Sequence, residues 1–440
     1  MLDAPPPTLV VNFNSPELHQ LALSLARVGA LADYVRPYAN KQRAWERAAA
    51  ALPLVGSVYD TTLGRRRIGD PVLALRTREA GVVADWCAAA TARLGVLSPE
   101  LRRRIANRLH MAVREAVATS ARRRVRHARC VVGYEGFALP AFEAARRLGG
   151  RATVLSYPVA HHRQRRRVRE EENAREPDFA VTWPDFDDWP AGHEQRLDAE
   201  IETADCVWVG SSYVRDGFVA EGIARAKLRV IAYGVDLETF HCRERRRDDG
   251  MPFRVIYAGQ LTQRKGLSYL LRGYYRFARP DTRLTLVGST VGSMEPLRPF
   301  AASFEHIPHQ TRPALAAQYR ASDVFVLPTL IEGMPLVVLE AMACGLPVIV
   351  TANGPGDIVR DGIEGFVIPQ RDADAICDRL ERLYRDPELR LEMGRRAAAR
   401  AREYSWAAYA ANARRLLVEL CCASPSAGDL LLPERDPATT

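Results

Sequence analysis

The stretch from Asp323 to Val350 constrains the fold more than any other. Asp323-Val324-Phe325-Val326-Leu327-Pro328 is short, apolar and closed by proline, the pattern of a parallel strand buried on both faces. A helical segment around Glu340 follows, and Pro347-Val348-Ile349-Val350 reads as another strand. Strand, turn, helix, strand is the repeating unit of a parallel α/β sheet. Glu332 stands at the tip of the turn. Glu340 comes eight positions later, about two helical turns on and on roughly the same face. In such sheets ligands bind beyond the carboxyl ends of the strands, so Glu332 is expected to face a ligand crevice.

The same alternation runs along the chain. Thr8 to Phe13 predicts a first strand. Pro16 to Gly29 predicts a helix, with Ser15 as N-cap and Pro16 at the first helical position. Residues 40–125 are mostly helical and rich in arginine. Strands at 130–134, 152–157, 205–210 and 228–231, with a helix at 139–148, complete a Rossmann-like domain over 1–240. Arg243 to Gly250, charged and poor in apolar residues, is the linker. A second Rossmann-like domain spans 250–405, with strands at 253–259, 283–288, 323–328 and 348–351 and helices at 265–277, 372–384 and 387–404. Residues 423–440 are rich in Ser, Pro, Ala and acids and read as disordered.

Hydrophobic residues make up 47% of the 440-residue chain, enough for two large cores. No stretch approaches the ~18–20 apolar residues of a membrane span, and the start of the chain lacks the basic and apolar regions of a signal peptide. The eight cysteines show no metal-ligand spacing and read as reduced thiols of a cytoplasmic protein. The net charge of +9 is uneven: residues 61–169 hold 24 arginines against 7 acidic residues. The clusters are Arg65 to Arg67, Arg102 to Arg104, Arg122 to Arg124 and Arg163 to Arg169. Such surfaces are either solvated helix faces or attract an anionic membrane surface or an acidic acceptor. Nucleic acid is not expected, because aromatics do not interleave with the basic runs.

Gly259-Gln260-Leu261-Thr262-Gln263-Arg264-Lys265-Gly266 joins a strand to a helix. A pyrophosphate seeks free backbone amides at a helix start and a nearby cation. Gly259 and Gly266 let the backbone approach, while Arg264 and Lys265 supply charge. Gln260 can hydrogen-bond a phosphate but cannot neutralise it.

The run from Glu332-Gly333-Met334-Pro335-Leu336 to Leu339-Glu340-Ala341-Met342-Ala343-Cys344-Gly345-Leu346-Pro347-Val348 resembles the E-x7-E signature of retaining, GT4-type group 1 glycosyltransferases. The resemblance is strong over about 205–405 and weaker over 1–204. It implies an α/β GT-B fold, two Rossmann-like domains facing across a cleft, with a last helix at about 406–422 crossing back onto the first. It implies a nucleotide-sugar co-substrate, UDP- or GDP-linked, with no other cofactor and no metal. Glu332 would lie against the donor sugar, and Glu340 would take the ribose hydroxyls. The family's G-R-x-x-x-x-K-G turn is matched at Gly259 and Lys265; Gln260 replaces the arginine, and Arg264 is placed to compensate. Where the family often reads E-G-F-G-L-P, Pro335 has no amide proton. The amides of Gly333, Met334 and Leu336 remain for the phosphates, and Pro335 suits the first position of the helix. A histidine beside the reacting sugar is implied after the strand ending at Tyr157. Either His161 or His162 can fill that place, His161 having the P-x-A-H spacing of related members. His306-Ile307-Pro308-His309 matches a turn that meets the base through its backbone. Asn353-Gly354-Pro355-Gly356 matches a glycine-rich scaffold turn, with Asn353 a further site candidate.

On the acceptor side, Glu135 follows a first-domain strand and either holds an acceptor hydroxyl or caps the helix from Leu139. Asn14 and Ser15, in the first turn, can contact the acceptor, a saccharide, a lipid or another small molecule. Asp185-Phe186-Asp187 matches a metal-binding D-x-D, but it lies in a loop rather than at a strand end and reads as structural. Two other classes compete. A phosphorylase or epimerase on the same fold would need a pyridoxal-binding lysine or a different acidic arrangement. A non-catalytic membrane-surface protein would not need both glutamates.

Overall fold

A computed structural model describes residues 4–51, 66–91, 98–183, 192–242 and 250–423. The D-x-D at Asp185 to Asp187, most of the linker and the tail from 424 lie outside the described residues. The chain divides into two compact units, Met1–Ser156 with Asp188–Val207 and Ala410–Thr440, and Tyr157–Asp187 with Trp208–Tyr409.

The first sheet contains β1 (Thr8–Val11), β2 (Leu31–Arg36), β3 (Thr77–Glu79), β4 (Cys130–Tyr134), β5 (Ala152–Tyr157), β6 (Cys206–Val209) and β7 (Leu228–Val230). Their order is β3-β2-β1-β4-β5-β6-β7. The second contains β8 (Phe253–Ala258), β9 (Thr282–Val287), β10 (Phe304–Ile307), β11 (Val324–Leu327), β12 (Val348–Thr351) and β13 (Gly365–Ile368). Its order is β10-β9-β8-β11-β12-β13. The described pairings β1–β2, β1–β4, β8–β9, β8–β11 and β11–β12 are all parallel. Both sheets follow the doubly wound order 3-2-1-4-5-6, so each has one point where the winding reverses. In the first this lies between β1 and β4, in the second between β8 and β11.

The core strands carry the apolar runs expected of doubly covered parallel sheets. Val10, Val132, Ile256 and Val326 are all 0% exposed. Strand β2 and the edge strands β3, β10 and β13 do not show in the sequence pattern. β3 is only three residues long, and β10 is half-buried throughout apart from an exposed Glu305. The helices used below are α1 (Pro16–Arg27), α2 (Pro99–Arg124), α3 (Leu139–Leu148), α4 (His162–Arg175), α5 (Leu267–Phe277), α6 (Leu336–Ala343) and α7 (Trp406–Ala423). As expected, Ser15 caps α1, its side chain accepting from the Leu18 amide, and Pro16 opens it.

Candidate active site

The turn after β8 brings two cations to the reversal point of the second sheet. Thr262 caps a single 3₁₀ turn, Gln263–Lys265, and Gly266 closes it at φ +73°. A Cβ on Gly266 would stand 2.0 Å from the Pro328 carbonyl oxygen, so only glycine fits there. α5 therefore starts at Leu267 rather than at the expected Lys265, and Lys265 sits in the tight turn ahead of the helix. Gly259 leaves room for the lysine stem: a Cβ there would lie 3.2 Å from the Lys265 side chain. Gln260 is exposed, and its carbonyl accepts from the Tyr257 hydroxyl at 2.5 Å.

The turn after β11 supplies the counter-charge. One carboxylate oxygen of Glu332, Oε1, is 2.7 Å from Arg264 Nη1 and 2.7 Å from Lys265 Nζ. The Glu332 side chain is 11% exposed and that of Lys265 is 10% exposed. Burial pushes the Glu332 carboxyl up, but Arg264 and Lys265 outweigh it and hold it below its ordinary value. Burial lowers the Lys265 ammonium, and Glu332 only partly restores it. The two turns are also tied through their backbones. The Leu330 amide donates to the Arg264 carbonyl at 2.9 Å, and Arg264 Nη1 donates to the Ile331 carbonyl at 3.2 Å. Asn353 Nδ2 donates to the Leu330 carbonyl at 2.7 Å, which makes Asn353 a support of this turn.

Pro335 does not occupy the first helical position. It is the N-cap of α6, whose first residue is Leu336. A proline cap offers no side-chain acceptor, so the first-turn amides of α6 are left without one. The Met334 side chain turns into the core, where its sulfur accepts from the Tyr233 amide at 3.0 Å. Glu340, in the second turn of α6, is buried, and Arg312 Nη2 lies 3.6 Å from its Oε1. Burial pushes the Glu340 carboxyl up to about 7; Arg312 opposes this and Asp236 adds to it. Arg312 is held by the Phe240 ring at 5.2 Å and by Asp236 at 4.0 Å.

Both histidines are buried. His161 caps α4, its Nδ1 accepting from the Arg163 amide at 3.3 Å, and packs edge-on against Phe218. His162 stacks on it at 4.2 Å and pairs through Nδ1 with the Tyr157 hydroxyl at 3.2 Å. Their turn reaches the Glu332 turn through Gly333. A Cβ on Gly333 would lie 1.7 Å from the Pro158 carbonyl oxygen, and the Gly333 carbonyl accepts from Ser211 Oγ at 2.6 Å. Gly333 thus allows the close approach of Pro158, three residues ahead of His161.

One group escapes the sequence patterns. Glu172, on α4 and fully buried, accepts from Gln263 Nε2 at 2.7 Å, the Tyr269 hydroxyl at 2.9 Å and Arg371 Nε at 2.8 Å. Gln263 immediately precedes Arg264 and Lys265, and its amide donates to Thr182 Oγ1 at 2.9 Å. Glu176, one turn on, forms a bidentate pair with Arg272 of α5 at 2.6 and 2.7 Å. The helix that begins at the histidines is therefore fastened to the cationic turn. Nothing in its own neighbourhood marks Glu172: it is the last of three consecutive glutamates, Glu170 to Glu172.

At the reversal point of the first sheet, Asn14 adopts φ +64° and accepts from Arg36 Nη2 at 2.6 Å. Asn12 organises the turn, accepting from the Ser15 amide at 2.8 Å. Glu135 does not cap α3. Glu200 does so from 61–64 residues away, accepting from the Gly136, Ala138 and Leu139 amides at 2.5, 2.8 and 3.1 Å. Burial still raises the Glu200 carboxyl to about 7. Glu135 lies near Glu17 and adds to the burial that raises the Glu17 carboxyl. His306 belongs to strand β10, not to a turn, and its Nε2 pairs with the Gly288 carbonyl at 2.9 Å.

Residues 252–386 match the family described as glycosyl transferases group 1. The D-inositol 3-phosphate glycosyltransferase of Pseudarthrobacter chlorophenolicus is 39% identical over 196 residues, 40% of this chain and 47% of that protein. The protein of the same name from Corynebacterium jeikeium is 30% identical over 270 residues, 56% of this chain and 62% of that one. The chain spans about half the length of the curated relatives it matches. Among solved structures, sucrose-phosphate synthase from Thermosynechococcus elongatus has a TM-score of 0.64 at 19% identity, over 95% of this chain and 99% of its own. Anabaena HepE, solved with UDP-glucose, gives 0.60 at 12% identity, over 94% and 100%. Those likenesses show the fold, GT-B, with two Rossmann-like domains. Residues 252–386 thus match the group 1 glycosyltransferases, within a chain of GT-B fold.

Proposed function

We propose that the chain transfers a sugar from a nucleotide-sugar, UDP- or GDP-linked, to a saccharide, lipid or other small acceptor, with retention at the anomeric carbon and without a metal. The observation that carries this is the Lys265–Glu332–Arg264 cluster at the reversal point of the second sheet. A diphosphate arriving there meets two cations fixed in a largely buried turn, with the uncapped start of α6 beside it. Its charge replaces Glu332 as their partner and frees the carboxylate toward the sugar. The leaving phosphate oxygen then assists removal of the acceptor proton on the same face, so no enzymic nucleophile is needed. Lys265 and Arg264 carry the charge that a metal carries elsewhere. The UDP-glucose bound to HepE and the names of the relatives support the donor class. We place the protein in the cytoplasm, in cell-surface polysaccharide or glycolipid synthesis.

The test is a panel of UDP- and GDP-sugars, each incubated with the full chain and candidate acceptors, with nucleoside diphosphate release followed by chromatography and the product's anomeric configuration by proton coupling. Retention with one donor is expected. Inversion, or release only in the presence of free phosphate, would overturn this reading, the second outcome in favour of a phosphorylase.

A further inference from the structure

The cationic surface of the first unit is not uniform. α2 and α3 pack against each other, and both end in arginines: Arg122, Arg123 and Arg124 on α2, Arg146 and Arg147 on α3. A helix C-terminus carries partial negative charge, so arginines there are favourable in themselves. That accounts for their position but not for what they enclose. Arg124 is engaged internally, donating to the Ser120 carbonyl and hydroxyl at 3.1 Å and lying 3.8 Å from Asp33. Arg122, Arg123 and Arg147 instead line a groove of about 460 Å³ together with Thr119, Ala144 and Leu148. Among the described residues none of these three arginines forms an ion pair. Glu143, one turn back on α3, is exposed and forms no ion pair with them among the described residues. Leu148 stands beside them 52% exposed.

Three unneutralised guanidinium groups around a concavity, with a bare leucine at its rim, complement an anion that carries an apolar body. A free phosphate would satisfy the cations and leave Leu148 in water. A nucleic acid would require stacking aromatics, and none lines the groove. We propose that this groove seats phosphates of an anionic lipid surface, with Leu148 entering the acyl boundary, so that the chain adsorbs peripherally to a membrane through α2 and α3. The proposal stands apart from the donor site, which lies in the second unit.

The test is co-sedimentation of the full chain with vesicles of equal phosphatidylglycerol and phosphatidylcholine, and with vesicles of phosphatidylcholine alone. Each arginine at such a surface contributes about a fivefold factor in partition. Arg122→Gln/Arg123→Gln/Arg147→Gln should therefore lower partition on the order of a hundredfold. Arg108→Gln/Arg175→Gln/Arg402→Gln, which removes equal charge elsewhere, should lower it by less than about tenfold. The nucleoside diphosphate affinity of the groove variant should be unchanged, which also shows that it is folded. If that variant does not fold, an environment-sensitive dye on Leu148→Cys should shift to the blue with the anionic vesicles only. Equal loss in both triple variants, equal adsorption to both vesicles, or binding of inorganic polyphosphate without vesicle binding would each overturn the proposal.

Discussion

The Glu332 carboxylate stands 2.7 Å from the Lys265 ammonium, joining the turn after β11 to the turn after β8. Arg264 approaches the same oxygen at 2.7 Å. Glu332 is thus the counter-ion of the cations assigned to the diphosphate.

Glu332→Gln preserves the shape and removes this counter-charge. Turnover should fall about a hundredfold or more, on the scale of losing one preorganised electrostatic group. Nucleoside diphosphate affinity should hold or tighten, because the phosphates no longer compete with a carboxylate. Steady-state kinetics beside calorimetry checks both; near-normal turnover would remove Glu332 from the mechanism.

Glu340 gives the account a pH dependence. Burial, opposed by Arg312 and reinforced by Asp236, raises its carboxyl to about 7; Tyr319 and Cys344 also face it. A folded-state value above the unfolded one means that the folded state holds the proton more tightly. The associated stability is present below about pH 4.5 and is lost as pH rises through about 7. Glu340→Gln should flatten that slope in chemical denaturation. If Glu340 accepts ribose hydroxyls, its ionised form binds them better, so nucleotide affinity should rise from pH 6 to 8. In Glu340→Gln that rise should vanish and affinity at pH 8 should drop by about 1.5–3 kcal/mol. Parallel pH profiles in wild type and variant would leave Glu340 a helix residue only.

Glu172 should act as a positioning residue. Glu172→Ala takes from half-buried Arg371 its closer carboxylate, leaving Glu171 at 3.5 Å, and unties Gln263, at a cost of about 1–3 kcal/mol in stability. Glu172→Gln keeps the volume and part of the hydrogen bonding, so it should fold while weakening nucleoside diphosphate binding through the displaced Lys265 turn. Urea denaturation and calorimetry on the two variants decide this. Destabilisation with wild-type nucleotide affinity in both would make the network purely structural.

What the sequence revealed follows from how local each signal is. The core strands, the Ser15 cap and the glutamate pair are written in neighbouring residues. Gly266 was visible as a glycine, but its reason, the Pro328 carbonyl sixty-two positions away, was not. The same holds for Glu200, which caps α3 from 61–64 residues away, and for Glu172, which reaches Gln263, Tyr269 and Arg371 across 91–199 positions. Glu135, next to that helix, reads from the sequence as either an acceptor contact or its cap, and the cap is Glu200. The edge strands β3 and β10 escaped for another reason: the first has three residues and the second is only half-buried, so neither carries a continuous apolar run.

The central claim is that the Gly259–Gly266 turn and Glu332 form a diphosphate grip, and the dissociation constants of UDP and GDP for the Lys265→Ala, Arg264→Ala and Gln260→Ala variants test it most directly. Charge-assisted hydrogen bonds are roughly twice as strong as neutral ones, so Lys265→Ala should weaken binding most. Arg264→Ala should fall close behind, since it shares Glu332, and exposed Gln260→Ala should matter least. Binding damaged most by Gln260→Ala, or left unchanged by Lys265→Ala, would contradict the account.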